Sequence, residues 1–153
     1  MKIILGIIVV IFSTCLGYIF STKYKLKSIY YTSFYNFNKL LKNEVSFTKK
    51  TIIEIIDSIK ESNIFYDNLK NIFKIKNYKI ENKSLNNDEI EFLHSYIDRI
   101  GQTEAKTELD YLSSIELVLK EKMDEVVAIE KKYKPLCIKM GFLLGLIIFV
   151  LIV

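Results

Sequence analysis

His94 is the only histidine in a chain of 153 residues, and the carboxylates Glu91 and Asp98 lie near it. Histidine is the side chain used most often for general acid–base work, and carboxylates such as these could accompany it. Here, however, His94 falls on the face between Ile90 and Ile97, while Glu91 and Asp98 occupy the exposed side of the same amphipathic pattern. Solvated charge accounts for them. Cys15 and Cys137 each sit in an apolar stretch with no paired spacing, which supports neither a disulfide framework nor a zinc site, so they read as small apolar residues. Phe12-Ser13-Thr14 before Cys15 is a poor version of the small-residue site that precedes a lipidated cysteine. The five glycines, Gly6, Gly17, Gly101, Gly141 and Gly145, form no phosphate-binding loop. Gly141 and Gly145 do form a G-x-x-x-G pair, which lets a second helix approach closely in lipid. The expectation is a protein without catalytic, cofactor-binding or metal-ligating residues, acting on no small-molecule substrate.

What must be positioned is therefore a set of helix faces. Residues 3–20 (IILGIIVVIFSTCLGYIF) hold no charge, and residues 136–153 (LCIKMGFLLGLIIFVLIV) hold only Lys139. Each is long enough for a membrane span. A cleaved signal peptide is the other reading of the first stretch, but no A-x-A-like site follows it. The acidic residues all lie between Glu44 and Glu130, whereas lysines crowd the inner flanks of both apolar stretches, at Lys23, Lys25 and Lys27 and at Lys131, Lys132 and Lys134. Cationic flanks mark the cytoplasmic side, so the polar middle is expected inside the cell with both termini outward. Lys2 argues weakly the other way. The formal net charge of +4 is mostly flank charge. The middle interleaves both signs without a basic stripe, which speaks against nucleic acid as a partner.

The pattern of the middle is helical throughout. Tyr30, Phe34, Phe37 and Leu41 step by three or four, as one stripe of a helix continuing the first span. Phe34 and Phe37 are expected in the core and Tyr24 at the headgroup level. A break is expected at 45–49, with Ser46 and Thr48 as capping oxygens. Residues 51–60 follow as an amphipathic helix of about three turns, and 64–75 as a second one, paired antiparallel with it. The stretch 77–87 (NYKIENKSLNN) shows no period and reads as a loop. Asn87 is the expected cap of the next helix, whose face carries Ile90, Leu93, Ile97 and Ile100 and which Gly101 ends. Thr103 is the expected cap of the last helix. Leu109, Leu112, Ile115, Leu119, Met123, Val126, Ile129 and Tyr133 run along it in a coiled-coil-like stripe, whose partner is the first helix or the same face of a second copy. Pro135 predicts either a kink or a break before the last span.

With these elements laid out, the chain resembles the stage III sporulation protein AB family of endospore-forming bacteria. The resemblance covers nearly the whole chain. It rests on KIILG at 2–6, Gly17-Tyr18, LLKNEV at 40–45, Ile100-Gly101 between two helices, and YKPLCIKMGFLLGL at 133–146. Ile97 stands where the family tends to have glycine, Glu108 where it tends to have glutamine, and Lys49 and Lys50 where it has a proline. A single arginine, Arg99, amid many Lys, Ile and Asn residues matches the codon bias of an AT-rich genome.

The resemblance implies a component of the channel-like apparatus between mother cell and forespore, sited in the mother-cell membrane around the forespore. It further implies a cytoplasmic domain similar to the helical platform proteins of type II secretion and type IV pilus systems. By that analogy the partners are an assembly ATPase of the stage III sporulation protein AA type and other sporulation membrane subunits. The reading reached is an all-α helical bundle of about five to six helices, divided into a transmembrane helix (1–22), a cytoplasmic helical domain (23–135) and a second transmembrane helix (136–153). It would serve as a membrane-anchored scaffold docking that ATPase. The competing reading is a two-span coiled-coil membrane protein that self-associates and has no part in sporulation.

Overall fold

The aromatic stripe that follows the first apolar stretch is helical and buried, and the remaining elements of the polar region pack around it. The structure, a computed structural model, describes residues 2–47, 50–75 and 84–152. Among the described residues there are five helices: α1 (Lys2–Phe47), α2 (Ile52–Ser58), α3 (Ile64–Lys74), α4 (Asn87–Arg99) and α5 (Ala105–Ile152). They divide into two compact units, one made of Met1–Ser28 with Glu125–Val153, the other of Ile29–Asp124.

In the Ile29–Asp124 unit, Phe34, Phe37 and Leu41 of α1 are buried with Phe65 and Leu69 of α3, Leu93 and Tyr96 of α4, and Leu112 and Leu119 of α5. The ring of Phe34 stacks on Phe65 at 5.1 Å and meets Tyr96 edge-on at 4.8 Å. Aromatic pairs in these geometries add about 0.5–1.5 kcal/mol beyond the area they bury. The three-to-four spacing is thus the spacing of the core.

Helix ends follow local capping chemistry, at positions slightly different from those expected. Thr51 caps α2 reciprocally: its hydroxyl accepts from the Glu54 N–H at 3.3 Å, and the Glu54 carboxylate accepts from the Thr51 N–H at 2.8 Å. Ser46 is not a cap, because its hydroxyl donates to the Lys42 carbonyl within α1. Thr48 lies outside the described residues. α2 has seven residues, nearer two turns than three. Asn63 caps α3, its side-chain oxygen accepting from the N–H groups of Phe65 and Tyr66. The cap of α4 is Asn86, one residue before the expected Asn87, and its N–H donates to the Glu89 carboxylate at 2.8 Å. Of the expected loop, 77–83 lies outside the described residues. α5 begins at Ala105, so Thr103 is not its cap; the Thr103 hydroxyl donates instead to Glu108 at 2.9 Å.

In the other unit, the first part of α1 and the last part of α5 lie side by side. Both helices hold a window long and apolar enough to cross a membrane, and only 11% of each window is buried within the protein, unlike the core helix of a soluble fold. Pro135 lies inside α5, which runs unbroken from Ala105 to Ile152, so the expected alternative of a break does not occur.

Candidate functional site

Among the described residues no cluster of reactive groups organises the structure, and the sites are helix contacts. In the Met1–Ser28, Glu125–Val153 unit the contact is a glycine notch. A Cβ on Gly17 would stand 2.6 Å from the Cys137 carbonyl oxygen, and one on Gly141 would stand 2.7 Å from that of Ser13. One on Gly145 would meet the Val10 Cα at 2.8 Å. Backbone therefore lies directly against backbone, which only residues without a side chain permit. The Ser13 hydroxyl donates to the Gly141 carbonyl at 2.7 Å, a polar link from one apolar helix to the other. Gly141 and Gly145 thus face α1 of the same chain. At the lysine-flanked end of this unit the rings of Tyr24 and Tyr133 stack at 5.6 Å. Lys23, Lys25, Lys131 and Lys132 are exposed there, Lys27 and Lys134 partly so. Lys134 pairs with Glu130 at 3.3 Å.

In the Ile29–Asp124 unit a buried polar relay crosses the core. The Tyr96 hydroxyl donates to Asn38 Oδ1 at 3.1 Å, and Asn38 Nδ2 donates to the Leu112 carbonyl at 3.0 Å, linking α4, α1 and α5. Beside it Ile100-Gly101 closes α4. Gly101 has φ +77°, the left-handed region that glycine enters without a steric penalty. Its N–H donates to Glu108 Oε1 at 3.1 Å, so Glu108, only 3% exposed, ties the turn with one oxygen to Gly101 and the other to Thr103. The Arg99 guanidinium lies over the Tyr111 ring at 4.1 Å. Burial pushes the phenols of Tyr30, Tyr66 and Tyr96 above their ordinary range; at Tyr111 burial also raises it, against the pull of Arg99. Next to this turn an open groove of about 750 Å³ is lined by Val45, Phe47, Ile52, Ile53 and Ala105 among others, with Phe47 and Ile53 exposed.

His94 is half-buried, and Glu91 and Asp98 are exposed. Among the described residues no hydrogen bond or ion pair joins the three, and no group of three or more His, Cys, Asp or Glu residues is placed to hold a metal. Cys15 and Cys137 are free thiols.

Residues 2–153 match the family described as Stage III sporulation protein AB. The chain belongs to that family. No curated protein and no solved structure matches it. Membership gives the chain a place in sporulation, in a family of assembly proteins and not of known enzymes. Three of the stretches on which the resemblance rests build contacts described above. Gly17 and the stretch 133–146 supply the glycine notch and the Tyr133 ring, and Ile100-Gly101 supply the α4–α5 turn. Glu108 offers that turn two acceptor oxygens, where a glutamine would offer one. Asn38 and Ser13 escaped the sequence reading. Each is a polar residue inside an apolar or aromatic run, and that interruption was the only signal.

Proposed function

We propose that this protein is a two-span scaffold subunit of the sporulation channel-like apparatus, with its middle in the cytoplasm and both termini outward. The domain division at 1–22, 23–135 and 136–153 belongs to this reading. The observation that carries it is the Tyr24–Tyr133 stack, which puts the flanks with Lys23, Lys25 and Lys27 and with Lys131, Lys132 and Lys134 at one end of the helix pair. Both flanks then lie on one side of the membrane, the side that Lys favours. The chain between them emerges on that side. Mother-cell placement rests on family membership.

The Ile29–Asp124 unit docks an assembly ATPase of the stage III sporulation protein AA type. Support is the family together with fold-level analogy to secretion platforms, an associational warrant. The groove at Phe47 and Ile53 is the docking surface in this reading, because exposed apolar side chains beside a hydrogen-bonded turn suit a partner's apolar face. Capture of the ATPase by the full chain from sporulating cells tests the proposal. The wild type is expected to retain it, and the paired change Phe47→Ser with Ile53→Ser to lose it while keeping its helix content. An undiminished capture would remove the groove from the proposal, and no capture by the wild type would remove the ATPase. For topology, a reporter active only in the cytoplasm, inserted at Ser84, is expected to work; silence there would reverse the orientation.

A further inference from the structure

Charge is divided unevenly between the two units. The one holding the apolar windows carries eight lysines against two glutamates, whereas the Ile29–Asp124 unit carries 14 cationic and 16 acidic side chains. Lys134 engages Glu130, and Glu125 also has a partner. Lys139 stands out because it lies within the apolar stretch, yet is exposed on α5. It is two residues before Gly141, about 200° around the helix, and therefore on the side turned away from the α1 contact that Gly141 makes. Lys132 precedes Lys139 by seven residues, within about 20° of two full turns, so both occupy one exposed stripe. Their Cα atoms are about 10 Å apart along the axis. Side chains on a helix lean toward its N-terminus, so Lys139 leans back toward Lys132 and the flank, the direction in which a buried lysine snorkels. Among the described residues no carboxylate pairs with either lysine.

An ammonium that snorkels from this depth ends in the headgroup layer, where lipid phosphates are the nearest anions. We propose that Lys132 and Lys139 together hold the phosphate of an anionic phospholipid on the outer face of α5. The inference rests on the membrane-spanning reading. A lipid fits better than an acidic protein surface, because Lys139 lies inside the apolar stretch, where a headgroup dips and a water-soluble surface does not. The neighbouring lysines at positions 23, 25 and 131 add to the local positive potential.

The full chain reconstituted in phosphatidylcholine vesicles, with trace spin-labelled phosphatidylglycerol or phosphatidylcholine, gives the relative affinity of its surface for the two lipids from their motionally restricted fractions. The wild type is expected to prefer phosphatidylglycerol about 25-fold, about fivefold for each of the two lysines, with the preference fading in high salt. Lys139→Leu and Lys132→Gln are each expected to lower it about fivefold, the change matching about 1 kcal/mol per lysine. Lys139→Leu makes the span more apolar, so it is expected to keep its helix content and its restricted phosphatidylcholine fraction. Equal affinity for both lipids, or an unchanged preference in either variant, would overturn the inference. So would a stronger loss of preference in inorganic phosphate than in chloride of equal ionic strength, which would identify a free-phosphate site. Absence of any restricted lipid would instead reject the membrane reading itself.

Discussion

Asn38 is fully buried, and it earns that position through two partners brought from distant parts of the chain, Tyr96 and Leu112. Replacing it by leucine keeps the number and branching of the side-chain heavy atoms but strands the Tyr96 hydroxyl, and takes from the Leu112 carbonyl the bond it accepts from outside its own helix. Unsatisfied buried groups cost about 1–3 kcal/mol each. Asn38→Leu is accordingly expected to lower the thermal midpoint of the full chain in neutral detergent, followed by circular dichroism, while a surface change such as Glu91→Gln leaves it in place. The buried phenols predict a second behaviour. Tyr30 and Tyr96 have folded values raised by burial above the ordinary value of 10.0, so above pH 10 the unfolded chain releases phenolic protons that the folded chain retains. The unfolded state then binds fewer protons, and stability falls as pH rises. Stability contributed by these groups is complete below pH 10 and lost above it, and Tyr96→Phe should shallow that alkaline decline in a pH series of melting curves. Neither residue announced its role in the sequence. Asn38 sits one position beyond Phe37 in an otherwise regular stripe, and its partners are 58 and 74 residues away.

At the scale of elements, the two long helices meet at glycines whose tolerance to substitution differs. At Gly17 and Gly141 an added side chain meets backbone, which cannot rotate away. At Gly6 it meets the Phe149 ring, a side chain with freedom to move. Gly17→Val and Gly141→Val are therefore expected to destabilise the helix pair by about 1–3 kcal/mol, the usual range for overpacking. Gly6→Ala should be far milder. Thermal melts of the three variants in one detergent give the ranking, and equal losses at all three positions would contradict the notch. Gly101→Ala is expected to cost about 1–2 kcal/mol, because an L side chain resists the left-handed conformation and here also meets Ile52. The existence and faces of the helices were legible from periodicity. Their ends shifted by a residue or more, from Asn87 to Asn86 and from Ser46 to Thr51, because several capping residues stand close together and only the fold selects among them.

For the whole molecule, two units with opposite chemistry share one chain. The Ile29–Asp124 unit has its own core and a near balance of charge. Expressed alone it is expected to dissolve and fold in water without detergent, giving a helical spectrum and a cooperative melt. The full chain should require detergent or lipid, since its apolar windows are only 11% buried. A fragment that aggregates, or that is unfolded by circular dichroism, would show that the unit depends on the membrane segments. The function proposed for that unit follows from family membership, because its described surface carries helix faces and a groove and no constellation of reactive groups.

Local rules applied to residue order were enough for the all-α class, the two apolar windows, the aromatic core stripe and the glycine that closes α4. Each depends on neighbours within a few turns, and periodicity records such neighbours directly. Which helix Gly141 and Gly145 approach was undetermined by local rules, since a second copy and α1 satisfy the same motif. Contact with Ser13 and Gly17, more than a hundred residues distant, decided it. The same holds for Pro135. A proline removes one helical hydrogen bond, and whether the helix survives depends on what surrounds it; here α5 continues through it. Periodicity likewise did not mark Glu108 as the clasp of the α4–α5 turn, because its two oxygens gain donors only once Gly101 and Thr103 fold back over the start of α5.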